Sequence, residues 1–376
     1  MNKPINCWYL DHAYDTQENG PCCFQKIKGV ASYTEFHASS AYHEIKSHFE
    51  KGQWPDNYCR RCSDVEKQFG GELQSKRQSA LPLYDHYNVS MDVEPKHLHS
   101  LTVDAGRYCN IQCRICNPYC SSSWITESLT LQKQHPAMAK WIIHPMSFSE
   151  SSKVYQSVPF DFGDDLSELR HVHFTGGEPL YSADLNPILL HILEKAGDQC
   201  LISIMTNGTL SYKSVPALTK FSNVSIVLSL DGIGKTAEFV RTGCNWEVVD
   251  QNIREYVELG KRLSYHPTYG VLNIFGAVEL AEYANKMGMI LSLEKGFVDH
   301  VPYLSFSVLN DREKVIVLDY LYKNNLMSIA ERVQSSVYDP VDRQNFFDFM
   351  DHTYKFHGMF WGDYLPELYA LLNPKM

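Results

Sequence analysis

The stretch VDAGRYCNIQCRICNPYC (residues 103–120) places Cys109, Cys113, Cys116 and Cys120 within twelve residues, directly after a short β-type run. Spacings of three and then two residues let the sulfurs of Cys109, Cys113 and Cys116 converge as the chain turns back on itself. Soft thiolates suit an iron–sulfur cluster or zinc. Structural zinc wants four closed ligands, with Cys120 then the fourth. Three thiolates on a 4Fe–4S cluster instead leave one iron without a protein ligand, and that iron is a reactive position.

A second group lies nearer the N-terminus: Cys7, the vicinal pair Cys22 and Cys23 in ENGPCCF, and Cys59 and Cys62 in NYCRRC. Four soft ligands from two hairpin-like segments make a closed site, which zinc or a cluster satisfies equally. Nine of the eleven cysteines fall between Cys7 and Cys120. Small core hydrophobes would not concentrate in one third of a chain, so the bias points to metal. Cys200 and Cys244 read as ordinary buried or loop residues. His12, His37, His43 and His48 read as surface or hydrogen-bonding residues, because thiolates already complete the N-terminal site.

The elements that must position these groups alternate regularly. Strand-like runs occur at 101–103, 172–174, 201–205, 224–230, 268–274 and 289–294, and helical patterns separate them. PILLHILEKAG carries a 3.6-residue apolar period and a Gly197 stop, and AVELAEYANKMG ends likewise at Gly288. Such alternation implies parallel strands joined by right-handed crossovers. Six units predict an α/β fold, a partial (β/α)6 TIM-type barrel whose site lies at the C-terminal strand ends. Residues 121–170 read as a long connection, helical around SWITESLTLQKQ. Residues 1–99 form a small irregular Cys-rich lobe, 100–310 the barrel, and 311–376 a helical, aromatic-rich extension. Its aromatics (Tyr354, Phe356, Phe360, Trp361, Tyr364, Tyr369), like YDHY at 84–87, read as core or domain packing.

Three further elements stand at the expected strand ends. FTGGEPLY supplies Gly176, Gly177, Glu178 and Pro179, where glycines permit close backbone approach and Glu178 offers an acceptor for a cationic amine. MTNGT supplies Asn207, and LSLDG supplies Ser229 and Asp231, with Arg241 following in EFVRTG. Together with the triad 109/113/116, these residues resemble the radical S-adenosylmethionine (SAM) enzymes over roughly residues 100–300. The resemblance implies that Cys109, Cys113 and Cys116 hold a 4Fe–4S cluster whose open iron chelates SAM. Reductive cleavage then gives a 5′-deoxyadenosyl radical that abstracts hydrogen from a peptide or small-molecule substrate. It also implies that the Gly176–Pro179 turn binds the methionine amine. Ser229 and Arg241 would hold the ribose and carboxylate region, Asn207 would lie near the ribose, and Ser229–Asp231 is the matching motif. One departure is Ile115, where the family usually has an aromatic residue; no adenine-stacking role follows. Cys120 falls outside the triad.

The N-terminal segments resemble a twitch auxiliary-cluster domain, a shortened relative of the SPASM domain placed before the barrel, and Asn117–Trp124 (NPYCSSSW) reproduces a sequence such proteins carry. That resemblance implies a second 4Fe–4S cluster on Cys7, Cys22, Cys59 and Cys62, with Cys23 the alternate to Cys22. A flavodoxin- or ferredoxin-type electron donor is the family expectation. The alternative is a non-catalytic zinc-stabilised binding module.

Composition narrows the partners. With 34 Lys+Arg against 44 Asp+Glu and no run of four basic residues, general nucleic-acid binding is disfavoured. The N-terminus lacks a signal-peptide core and no stretch is apolar enough to span a bilayer, so no membrane partner and a cytoplasmic location are expected.

Overall fold

The computed structural model describes residues 4–16, 19–22, 25, 27–69, 75–89, 97–118, 120–136, 138, 164–291, 296–298 and 300–373. Its centre is a seven-stranded sheet: β1 (Ala13–Asp15), β2 (Ser100–Asp104), β3 (His171–Thr175), β4 (Leu201–Thr206), β5 (Val224–Leu228), β6 (Arg262–Tyr265) and β7 (Ile290–Leu291). Neighbours across the sheet are successive along the chain, every pair is parallel, and β1 and β7 do not pair with each other. This is the α/β partial barrel that the strand–helix alternation predicts. It has one strand more than the six expected, because the N-terminal third contributes β1 at the edge.

The crossovers follow local signals. Leu185–Ala196 buries Leu185, Ile188, Leu189 and Ile192 and stops at Gly197, whose φ is 80°. Trp246–Glu258 is capped by the Asn245 side chain, and Ala277–Lys286 leads towards β7. The run 268–274 departs from its predicted strand. Only Thr268–Tyr269 is extended, in a two-residue ladder, and Val271–Asn273 is a 3-10 turn. An apolar run surrounded by protein carries no period to separate strand from turn. Here Asn273 decides: it accepts from Gly270 N and donates to the carbonyls of Asp231 and Thr268. The sheet strand is therefore β6, ending before His266. Much of the expected run 289–294 and of the connection 121–170 lies outside the described residues, as does Cys23.

Turn signals suggested an irregular N-terminal lobe, yet its described residues are largely helical: Trp8–His12, Tyr33–His37, Ser40–Glu50, Asp56–Phe69, Lys76–Ala80 and Pro82–His86. His12 is buried rather than at the surface. It packs against Trp8, Tyr84 and His99, and burial lowers its pKa to about 3, so it stays neutral. The C-terminal extension is helical as predicted, with Asp311–Lys323, Met327–Ser335 and Pro340–His357 the longer helices. Trp361 packs against Phe346 and Tyr369, whereas Tyr354, Phe356 and Phe360 are exposed.

The sheet has two unlike faces. Val172, Phe174, Ile202, Ile204, Ile226 and Leu228 alternate onto one and are fully buried in the main core with the crossover helices. On the other, Asp15, Thr102, His173, Ser203 and Ser225 stand opposite one another in a single cross-strand row. Parallel sheets are usually apolar on both faces because helices cover both. Here the second face is polar along this row, although Asp15 and Ser203 are buried. Replacing Phe174 by Ala should cost about 3–5 kcal/mol, read as a lower urea midpoint; an unchanged midpoint would contradict the assignment of that face to the core.

Candidate functional site

The cysteine loop leaves β2 and has little regular structure of its own. Gln112–Cys113 pairs antiparallel with Arg241–Thr242. Trp124 Nε1 donates to the Cys113 carbonyl at 2.8 Å and Ser123 Oγ to that of Ile111 at 2.8 Å, so the NPYCSSSW segment closes around the loop. From the other side, the amides of Gly177 and Glu178 donate to the carbonyls of Gly106 and Tyr108, both at 2.8 Å. Contact is so close that a Cβ on Gly177 would lie 2.3 Å from the Tyr108 oxygen, and Gly176 holds a φ of 125°.

These contacts bring the predicted residues to one place. A cavity of about 380 Å³ at the C-terminal strand ends is lined by Cys109, Cys113, Cys116, Gly176, Gly177, Asn207, Ser229 and Arg241. Cys120 also reaches it. Asn207 Nδ2 donates to Asn110 Oδ1 at 3.0 Å and lies 4.0 Å from Cys109 Sγ.

Glu178, Pro179 and Asp231 do not line the cavity but lie behind it. Glu178 is buried and accepts from Asn207 N (2.7 Å), Thr206 Oγ1 (2.8 Å) and Leu180 N (3.0 Å). Its carboxylate thus joins the end of β3 to the end of β4. Burial raises its pKa above the ordinary value, against those three donors. Asp231 accepts from Thr268 N and pairs with Arg241 Nη2 at 2.7 Å. Arg241 Nη1 in turn lies 3.6 Å from Cys113 Sγ. Burial opposes the Arg241 charge, but Asp231 outweighs it and raises the guanidinium's pKa.

Burial pushes the Cys113 thiol up to about 12, although Arg241 pulls it down. Cys109 is raised by burial, and Cys116 by its hydrogen bond with Cys120 and by burial. Such thiols ionise when a cation supplies the missing positive charge, as a metal centre does. The donor set therefore fits an iron–sulfur cluster. Among the described residues, no three His, Cys, Asp or Glu side chains converge at the spacing of a single metal ion.

The four N-terminal cysteines also meet. Cys7, Cys22, Cys59 and Cys62 line one cavity of about 340 Å³, with Gln25, Trp54, Lys76 and Arg77. Cys59 and Cys62 lie on Asp56–Phe69, where an i, i+3 spacing puts both sulfurs on one face, and the backbone kinks at Cys59. Gln25 Nε2 donates to Cys59 Sγ at 2.9 Å. Burial raises Cys7 and Cys59 to about 12 each.

Sequence reasoning missed His266, Thr268 and His300, which line the first cavity; His300 Nε2 lies 2.9 Å from the Ile115 carbonyl. The strand-end rule would have found His266 had β6 been placed at Arg262–Tyr265 rather than at 268. It also missed Glu127, a fully buried carboxylate beside the cysteine loop. Burial disfavours its charge, but hydrogen bonds from His352 and His357 and the Arg114 guanidinium outweigh that and hold its pKa at about 2.

Residues 103–276, a little under half the chain, match the family model described as the Radical SAM superfamily. The chain is 22% identical over 231 residues to Molybdenum cofactor biosynthesis protein 1 of Dictyostelium discoideum, covering 61% of this chain and 33% of that protein. Among solved structures it is similar to native anSMEcpe with bound AdoMet (17% identity, TM-score 0.38, 69% of this chain and 66% of that one). It is also similar to Streptococcus suis SuiB bound to precursor peptide SuiA (16% identity, TM-score 0.35, 75% and 60%). The chain thus spans a third of the curated relative and less than two thirds of anSMEcpe or SuiB.

Gly177→Ala should force the Tyr108 carbonyl away and cost about 1–3 kcal/mol; a wild-type urea midpoint would show that the loop yields freely. The depressed pKa of Glu127 carries a pH signature. Its contribution, about 3 kcal/mol, is complete above the ordinary value of 4.5 and is lost as pH falls towards about 2. Acid unfolding of the wild type and of Glu127→Gln should therefore converge near pH 2, separate as pH rises to 4.5 and keep that separation above it; a constant gap between pH 2 and 4.5 would exclude the ionised pairing.

Proposed function

We propose that the chain is a radical SAM enzyme with two 4Fe–4S clusters, acting on a peptide or small-molecule substrate. One observation carries this reading: Cys109, Cys113 and Cys116 share a cavity with Asn207, Ser229 and Arg241 where the parallel strands end. Cys109, Cys113 and Cys116 would hold the SAM-binding cluster, and Cys7, Cys22, Cys59 and Cys62 the auxiliary one. When bound, the first cluster supplies the electron that splits the SAM sulfonium and starts hydrogen abstraction.

The chain's own residues do the rest. Gly176 and Gly177 leave room for the methionine end of SAM against the loop. Ser229 and Arg241 face its ribose and carboxylate region, and Asp231 holds the guanidinium charged and oriented. Glu178 acts indirectly, fixing Thr206 and Asn207 so that the Asn207 amide stays beside Cys109. On the polar sheet face, His173 Nδ1 lies 3.1 Å from Ser203 Oγ, and burial holds the ring's pKa at about 3, leaving it neutral. That face suits a substrate with uncharged hydrogen-bonding groups. An electron donor of flavodoxin or ferredoxin type belongs to the same proposal, as does a division into an auxiliary lobe (1–99), a core (100–310) and a C-terminal extension (311–376). Among the described residues no helix is long and apolar enough to cross a membrane.

Anaerobic reconstitution should give about eight irons and matching acid-labile sulfide per chain, and the reduced protein should release 5′-deoxyadenosine from SAM. Cys113→Ala should halve the iron and abolish release, whereas Cys59→Ala should halve the iron and leave uncoupled release. Zinc in place of iron, with no labile sulfide, would sink the proposal.

A further inference from the structure

An ionised carboxylate offers about four lone-pair sites on two oxygens, and Glu127 has four partners around it with no exposed surface. Arg114 Nη1 lies 3.5 Å and His352 Nε2 3.2 Å from Oε1. Gln112 Nε2 donates to Oε2, and His357 Nε2 lies 2.8 Å from it. Gln112 and Arg114 are the residues on either side of Cys113. His352 and His357 both belong to the helix Pro340–His357. The Arg114 guanidinium also lies over the Phe239 ring at 5.8 Å, its Nη2 is 3.8 Å from Met359 Sδ, and the residue is buried.

An ordinary buried ion pair needs one partner. Here one carboxylate meets two groups from the cysteine loop and two from a helix 230 positions away along the chain. A one-residue slip of the loop would turn both Gln112 and Arg114 away from it. Arg114 lies within electrostatic reach of the Cys113 sulfur, so Glu127 governs the charge beside that ligand as well as its place.

We infer that Glu127 is a positioning residue for the first cysteine site: it fixes Cys113 by gripping both its neighbours and ties the cysteine loop to the C-terminal helix. The electrostatic half of this inference rests on the proposed cluster at Cys109, Cys113 and Cys116; the mechanical half does not.

The electrostatic test is an EPR-monitored redox titration of the full-length reconstituted protein. Glu127→Gln leaves the Arg114 cation uncompensated and should raise the midpoint potential of the first cluster. Arg114→Gln removes the cation and should lower it, and the double variant should return near the wild type, with the N-terminal cluster unmoved throughout. Shifts of the same sign in both single variants, or no shift, would mean a purely structural pair and overturn the electrostatic half. Should Glu127→Gln fail to fold, His357→Leu tests the mechanical half, since that side chain is only 15% exposed and its loss buries no unpaired charge. Hydrogen exchange at the amides of residues 112–116 should become several-fold faster, whatever metal the loop holds. Unchanged exchange there would refute the grip, while absence of iron would count only against the proposed function.

Discussion

Crowding sulfur into a buried loop is costly in two ways, and the architecture answers both. The loop around Cys113 has only a two-residue ladder of its own, so its shape comes from contacts made by distant parts of the chain. Its thiols also sit where burial opposes ionisation. Trp124, the Gly176–Gly177 turn and the Arg241–Asp231 pair each hold one side, and each lies on a different element. The parallel sheet makes this possible, because its strand ends present those elements around a common rim. Remove the sheet and no local signal would keep the sulfurs together.

Much of that rim was legible in the sequence because its information is local. Cysteine spacing, the Gly-Gly-Glu-Pro run and the Asn-Gly turn each state what their own backbone must do, and the strand–helix period places them at strand ends. Of the four cysteines around the N-terminal cavity, only Cys59 and Cys62 are joined by a local spacing; the inclusion of Cys7 and Cys22 comes from the family resemblance. What stayed hidden depends on tertiary context. The run 268–274 is mostly apolar and shows no strand or helix period, and Asn273, through contacts with Asp231 and Thr268, turns it into a 3-10 segment. That shift of a strand also hid His266. Glu127 was invisible for a different reason: on its helix it reads as an ordinary surface acid, and its burial depends on tertiary partners, Gln112 and Arg114 of the cysteine loop and two histidines from the far end of the chain.

The two cysteine cavities are not independent of the barrel between them. Trp8, next to Cys7, donates its indole N–H to Ser100 at 3.1 Å, at the start of β2, so the N-terminal cavity adjoins the sheet at the end opposite the first. Between these ends lies the row of Asp15, Thr102, His173, Ser203 and Ser225. A row of hydroxyls, a neutral imidazole and, at its edge, the Asp15 carboxylate contributes little to stability, since each group must exchange hydrogen bonds with water for others no stronger.

The pairing of Cys113 with Arg241, 128 residues downstream, has a consequence for biogenesis. While the polypeptide is still emerging from the ribosome, the cysteine segment is synthesised long before the strand that shapes it, and longer still before His352 and His357. During that interval its sulfurs are exposed to oxidants and stray ions. The cysteine loop therefore takes its final shape only once Arg241 and, later, the helix Pro340–His357 have been made.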